Sequence, residues 1–452
     1  MTVLIIGGGE IGRFIAEKLI EHDREVIIIE KDERIVDELE ESLDAKIMLG
    51  NGASPNTLSQ AGVSGAEMVL AVTNSDEVNL LAVMLAGLQA PQAKRIARIR
   101  DPQFEIEEEV LQGKFNVNLL INPDKEAAHS ILKILALPGS VEIMEFFDGR
   151  LKLVGALARR QSEFINRPLR EIKQLGEGGP CVIAAIVRNN QVLTPMGDSR
   201  IMPGDTVYFA AEAEKVEEAM KLLGHEGERT GSIMIYGGGF IGMNLAASLE
   251  KEGVSVKIVE PDPKLCSVLS RNLNKSIILN TSATDQDFLE EENIDSMDAF
   301  VAVTKDDEDN ILSALLAKKK GCRMSIALSH NRGYQRLIGT LGIDVAVNPR
   351  QLAGNTILHF IRKGKILHAS SLMDEAEFIE AEALPTSEII NKPIKELKLP
   401  KGVVILSVQR GDSMMVPHGQ TVIEPKDRLL LIARRDAIDK IEKLLTVGME
   451  YF

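Results

Sequence analysis

Short Val/Ile-rich runs punctuate the first part of the chain, at residues 3–6, 25–30, 46–49, 68–72, 95–99 and 118–121. Between them lie longer stretches whose apolar positions recur every three or four residues. Val/Ile-rich runs alternating with helical periodicity predict parallel strands covered by helices on both faces. The spacing also permits right-handed strand–helix–strand crossovers. The pattern then changes. A strand is expected at 152–158, a short helix at 168–175, strands at 182–187 and 206–211, and a helix at 214–223. The turn "MPGD" introduces the third of these strands. A small α+β module therefore follows the doubly wound parallel sheet.

The whole arrangement occurs twice. "VLIIGGGEIG" from Val3 answers "IMIYGGGFIG" from Ile233, and "AVTNSDEVNLLA" from Ala71 answers "AVTKDDEDNILS" from Ala302. "INPDKEAAHSILKIL" from Ile121 returns as "VNPRQLAGNTILHFI" from Val347, and "INRPLREI" from Ile165 as "INKPIKEL" from Ile390. Self-similarity over so long a period indicates one duplicated unit. The α/β reading is two Rossmann-type domains, each followed by a small α+β domain, at 1–135, 140–224, 231–360 and 368–450. The stretch "GHEGERTG" from Gly224 is the expected hinge between copies.

Composition narrows the partners. A net charge of −15 disfavours nucleic acid or anionic lipid as the main partner, because either repels such a surface. Cys181, Cys266 and Cys322 lie far apart with no CxxC pair, which fits reduced thiols in a cytoplasmic protein and neither a disulfide framework nor a metal site. No basic leader precedes an apolar run. No stretch reaches the ~20 apolar residues that cross a bilayer, so direct membrane insertion is not expected.

The candidate chemistry sits in the glycine loops. In Gly7-Gly8-Gly9-Glu10-Ile11-Gly12 the first glycine permits the tight turn, Gly9 lets a phosphate approach, and Gly12 lets the helix pack on the strand. The free N–H groups at the helix start favour a pyrophosphate. Gly237-Gly238-Gly239-Phe240-Ile241-Gly242 repeats the arrangement. Glu30 and Glu260 each follow the last glycine by 18 residues, where a carboxylate accepts from ribose hydroxyls and repels a 2′-phosphate. NAD or an adenosine nucleotide is thus favoured over NADP, with Lys31 slightly weakening the exclusion and Pro261 and Pro263 flanking the second acid's turn. A loop kept only for packing is the competing reading.

Thr73-Asn74 and Thr304-Lys305 end the fourth strands, where their side chains can reach a nucleotide from across the crevice. Helix capping is the alternative there, and Asp76 and Asp307 are assigned to it. Arg98 and Arg100, on one face of the fifth strand, are expected to converge on phosphates or else to balance the acidic "FEIEEEV". Aligning Arg95 with Arg323 leaves Ile326 and Leu328 at the matching places of the second copy. A dehydrogenase needs a proton donor or acceptor beside the nicotinamide. None of His22, His129, His225, His330, His359, His368 and His418 has such a context, and no P-loop, GxSxG or HExxH motif occurs. A duplicated cradle without duplicated catalytic groups reads as a sensor and not as an enzyme.

In order, "GGGEIG", "EKDERIVDEL", "GNGASPNTLSQAGVSGAEMVLAVTNSDEVNLLA", "KRIARIRDP" and "INP" resemble the RCK/KTN nucleotide-binding domain. The modules that follow resemble its C-terminal RCK partner, and the tandem resembles the regulatory subunits of Trk-type potassium uptake systems. The resemblance implies binding of NAD(H) and of ATP or ADP. It also implies a homo-oligomeric ring, peripheral on the inner face of the cell membrane, that gates a separate potassium-translocating integral membrane subunit. Its nucleotide contacts fall on the two glycine loops, Glu30, Thr73, Asn74, Arg98, Glu260 and Thr304. ATP-ring relatives place an arginine inside the loop. This chain has Glu10 and Phe240 there, so that phosphate contact does not carry over. A like-built sensor for another ion channel or exporter, and an NAD-dependent oxidoreductase, are the alternative readings.

Overall fold

A computed structural model describes residues 2–21, 24–104, 113, 116–172, 179–189, 191–225, 230–361, 366–373 and 375–445. Two compact units result, one of Met1–Ala127 with Asn348–Ile361, the other of Ala128–Val347 with Arg362–Phe452.

The first unit holds β1 (Thr2–Ile6), β2 (Glu25–Glu30), β3 (Lys46–Leu49), β4 (Met68–Ala71), β5 (Lys94–Arg98) and β6 (Leu119–Ile121). All six run parallel in the order β3-β2-β1-β4-β5-β6. Alternate residues of these strands face opposite sides. Val3, Ile5, Ile28, Leu70 and Ile96 meet Phe14, Ile15 and Leu19 of the Glu10–Glu21 helix. Leu4, Ile6, Ile29, Val69 and Ala71 meet Leu58, Val83 and Ala86 on the other side. The continuous Val/Ile runs are thus the consequence of two covered faces.

The Pro349–Ile361 helix continues the second repeat in sequence but belongs to the first unit. Its Ala353, Ile357 and Ile361 join the core beside Phe14 and Leu19. A buried isoleucine contributes about 1.5–3 kcal/mol, so this contact is worth several kcal/mol. Gly354 permits the approach, since a Cβ there would lie 2.4 Å from Phe14 Cδ1.

The second unit repeats the parallel sheet with β12 (Ser232–Tyr236), β13 (Ser255–Val259), β14 (Ile277–Leu279), β15 (Ala299–Ala302), β16 (Met324–Leu328) and β17 (Val345–Val347), ordered β14-β13-β12-β15-β16-β17. It also holds two antiparallel sheets. One is β10-β9-β11-β8-β7, from β7 (Ser140–Phe146), β8 (Leu151–Leu157), β9 (Val182–Arg188), β10 (Gln191–Leu193) and β11 (Thr206–Glu212). The other is β18-β19-β22-β20-β21, from β18 (Ile366–Leu372), β19 (Ala376–Glu382), β20 (Val403–Arg410), β21 (Ser413–Met415) and β22 (Arg428–Arg434). The two sheets share a core of Phe146, Phe147, Leu153, Tyr208, Phe378, Leu430 and Ile432. Each small sheet carries the same internal brace. Arg188 forks onto Asp205 at 2.8 and 2.7 Å, and Arg410 onto Asp427 at 2.9 and 2.7 Å.

Strands β7 and β10 escaped the sequence pattern. In "SVEIMEF" polar Glu142 and Glu145 interrupt the edge strand, and β10 has three residues. The expected helix at 168–175 is a short 3-10 turn, Leu169–Glu171, with 173–175 outside the described residues. Among the described residues, no helix is long and apolar enough to cross a membrane, and no group of three or more His, Cys, Asp or Glu side chains could hold a metal ion.

Candidate functional site

Each glycine of the first loop performs a separable task. Gly7 has φ +105°, and a Cβ on it would lie 2.9 Å from the Thr73 nitrogen. A Cβ on Gly12 would lie 1.9 Å from the Gly7 carbonyl oxygen, so only glycine lets the helix start beneath the turn. A Cβ on Gly9 would meet nothing within 4 Å beyond its own chain neighbours and helix backbone. That open space is where a phosphate can reach backbone N–H groups. The second loop reproduces all three, with Gly237 at φ +107°, a Cβ on Gly242 falling 1.9 Å from the Gly237 carbonyl oxygen, and open space for one on Gly239.

Glu30 ends β2 and is 8% exposed. The N–H groups of Gly8, Lys31 and Asp32 donate to its carboxylate at 2.6, 2.7 and 3.0 Å. These donors orient the group before any ligand arrives and leave lone pairs for hydroxyl donors. Glu260 receives Gly238 and Asp262 N–H groups, both at 2.8 Å. Pro261 has no N–H to offer, so the second carboxylate lacks the donor that Lys31 supplies.

Thr73 and Thr304 are positioned by an asparagine that the sequence reading did not single out. Asn79 Oδ1 accepts from the Thr73 nitrogen at 2.9 Å and hydroxyl at 2.7 Å, while Asn79 Nδ2 donates to the carbonyls of Thr73 and Arg98 at 3.1 and 2.8 Å. Asn310 does the same for Thr304 and Leu328. Both asparagines are fully buried and use every hydrogen-bonding group they have. Their recurrence in the two quoted AVT segments was the available signal. The capping assignment for Asp76 and Asp307 fails. Ser75 and Asp306 are the N-caps, and the Asp76 carboxylate instead accepts from the N–H groups of Arg100 and Asp101. Asp307 accepts from His330 and Asn331, and these bonds hold it below the usual carboxylate range although burial works against them.

Only one of the two paired arginines enters the site. Arg98 is 5% exposed, and its Nη1 donates to the Thr73 carbonyl at 2.8 Å and to Asn74 Oδ1 at 3.0 Å. Its buried Nε has no hydrogen-bond partner. Burial first, then the neighbouring Arg100 charge, pulls the guanidinium down to about 10. Arg100 lies past the end of β5, half exposed, 3.6 Å from Asp124. The sequence alignment of the second copy also shifts by two. Strand pairing matches Ala71 with Ala97 and Ala302 with Ala327, so Leu328 replaces Arg98 and His330 replaces Arg100. The Arg95–Arg323 match was an accidental identity. Residues 105–110 of the acidic "FEIEEEV" lie outside the described residues.

Glu10 opens its helix 61% exposed and pairs with Arg350 of the Pro349–Ile361 helix. Phe240 takes the equivalent place in the second loop and is half-buried. Lys305 is exposed where Asn74 binds Arg98. The open space at Gly9, the oriented Glu30 and the unsatisfied Arg98 Nε together fit a pyrophosphate-bearing nucleotide at the first loop. The second fits its ribose and loop geometry but lacks the arginine. A cavity of 620 Å³ lined by Leu157, His225, Asp298 and Arg323 lies at the opposite, N-terminal edge of the second parallel sheet, away from the second glycine loop.

Fold and site define a tandem of Rossmann-type nucleotide-binding domains, each carrying a small α+β module. The TrkA-N domain model matches residues 3–123 and 233–349, and the TrkA-C domain model matches 159–224 and 378–446. The chain belongs to the TrkA family. It is 34% identical over 458 residues to the Trk system potassium uptake protein TrkA of Azorhizobium caulinodans and 32% identical to that of Halomonas elongata, covering 100% of each chain in both cases. These relatives are transport-system proteins, in keeping with the non-enzymatic reading. Among solved structures, the GsuK RCK domain shares the fold at TM-score 0.62 and 19% identity, covering 98% of this chain and 94% of that one. The GsuK channel bound to NAD matches at 0.62 and 18%, covering 98% and 78%.

Proposed function

We propose that the chain is a nucleotide-sensing regulatory subunit that binds NAD(H) and ATP or ADP and controls a separate potassium-translocating membrane protein from the cytoplasmic side. The buried, incompletely satisfied Arg98, at the same C-terminal edge of the sheet as the oriented Glu30 but across β1 and β4 from it, carries this reading, because it is costly without an anionic ligand. Family membership supplies the potassium uptake system, and GsuK structures titled with NAD and with ADP support the nucleotide classes. Glu30 would hold the ribose hydroxyls, the glycine-loop amides the pyrophosphate, and Arg98 a phosphate. When bound, the nucleotide supplies charge and no chemistry. Control requires that the ligand bind two arrangements of the assembly with different affinity. A homo-oligomeric ring on the inner face of the membrane would deliver that difference to the partner.

Calorimetric titration of the purified chain with NADH and ATP is the direct test. Glu30→Ala should remove first-site binding with no turnover of either nucleotide, and cells lacking the protein should lose potassium uptake. Unchanged binding in Glu30→Ala would refute the site, and intact uptake would refute the role. The same sensor serving another channel or exporter would show itself by co-purifying with that membrane protein.

A further inference from the structure

Glu10 occupies an unfavourable place for a nucleotide site. It is a carboxylate at the helix N-terminus that a phosphate should approach. Its partner Arg350 opens the Pro349–Ile361 helix, which descends from the second repeat. Asp124 stands at the corresponding place after β6, so the charge is reversed between the copies. Arg350 also lies close enough to Arg98 for the two positive charges to oppose each other. Three groups thus border one loop: a buried guanidinium with an unpartnered Nε, a second guanidinium one-third exposed, and a carboxylate occupying the latter.

We propose that Arg350 is a specificity-determining residue of the first nucleotide site, recognising phosphate beyond the pyrophosphate and released to it by Glu10. The inference rests on the nucleotide reading above. A dinucleotide keeps its two phosphates at the glycine loop and leaves the Glu10–Arg350 pair intact. A nucleoside triphosphate brings a further dianionic group that outcompetes a mostly exposed carboxylate for a planar, two-pronged donor. The ligand's phosphate count is then transmitted to the helix that docks the end of the second repeat on the first unit.

The experiment titrates ATP, ADP and NADH into the full chain in a Glu260→Ala background, which silences the second loop. Arg350→Gln should weaken ATP about tenfold, as loss of one charge-assisted bond implies, and leave NADH within about twofold. Arg350→Lys, which keeps the charge but not the two-pronged geometry, should recover only part of the ATP affinity. Glu10→Gln should strengthen ATP about threefold, and that gain should vanish in the Arg350→Gln background. Equal weakening of ATP and NADH by Arg350→Gln, or a Glu10→Gln gain that persists in the double variant, overturns the proposal. If Glu30→Ala leaves nucleotide binding unchanged, the functional reading itself fails. Glu30-dependent binding with an unselective Arg350→Gln overturns only the role of Arg350.

Discussion

Arg98→Met separates a residue kept for ligand from one kept for the fold. In the ligand-free protein Arg98 is 5% exposed, its Nε is unpartnered, and burial has lowered its affinity for the proton to about 10. A fall of that size corresponds to about 3 kcal/mol against the charged form. The penalty is present in full at neutral pH and is relieved only as pH rises past 10, where the folded state begins to release the proton. Against it stand two bonds from Nη1, to Thr73 and Asn74, worth about 1 kcal/mol each. Methionine has a similar length and needs no partner. Arg98→Met should therefore leave the ligand-free protein as stable as the wild type or about 1 kcal/mol more so. Nucleotide affinity at the first loop should fall between about tenfold and a hundredfold, the value of a charged hydrogen bond to phosphate. Scanning calorimetry with and without saturating NADH measures both effects. The wild type should gain melting temperature from NADH and the variant should gain less. A variant that melts lower by the equivalent of 2 kcal/mol without ligand, or that gains as much from NADH as the wild type, would show that the arginine serves the fold.

Two further perturbations test separate links. Gly9→Ala enters open space and should leave the melting temperature unchanged while weakening nucleotide, whereas Gly12→Ala strikes the Gly7 carbonyl and should cost at least about 2 kcal/mol as well as binding; full binding by Gly9→Ala would remove the phosphate from that spot. Glu142 is half-buried as a residue, but its carboxyl is enclosed and accepts from the Tyr208 hydroxyl at 2.8 Å. Burial pushes it up to about 7, so the folded state holds a proton that the unfolded chain releases at ordinary carboxylate values. Stability should fall by up to about 3 kcal/mol as pH rises from 5 through 7, and Glu142→Gln should flatten that slope in pH-dependent urea titrations.

The parallel sheet was legible because burial on both faces leaves little freedom in composition: runs such as Val3 to Ile6 have one structural use. The loops were legible because each glycine answers a steric demand that the structure displays. What escaped depends on partners remote in sequence. Strand β7 is an edge strand whose Glu142 is defined by Tyr208, 66 residues away. The Pro349–Ile361 helix has an ordinary apolar face, and nothing in its own pattern says that Phe14 rather than its own repeat will receive it. Identity also misled, because Arg95 and Arg323 match as letters while the hydrogen-bonded ladder equates Arg98 with Leu328.

The two copies differ in charge far more than in shape. Glycine turns, buried asparagines and oriented carboxylates recur with nearly the same distances, so the second loop retains the framework that shapes a cradle. Three changes between them remove something an anion would use or resist, while Lys305 in place of Asn74 adds an exposed cation. Leu328 stands for Arg98, Pro261 withdraws the amide that Lys31 gives to the acid, and Phe240 replaces the Glu10 that pairs with Arg350. Packing alone would not produce such a pattern, since it constrains the buried framework and is indifferent to exposed charge at Glu10. A division of labour does produce it. On the proposed reading, the first loop distinguishes ligands by their phosphates, and the second offers a ligand ribose and backbone contacts alone. Because Arg350 descends from the second repeat, the discriminating site is completed only when both copies are present in one chain, which gives the duplication a chemical reason beyond doubling a receptor.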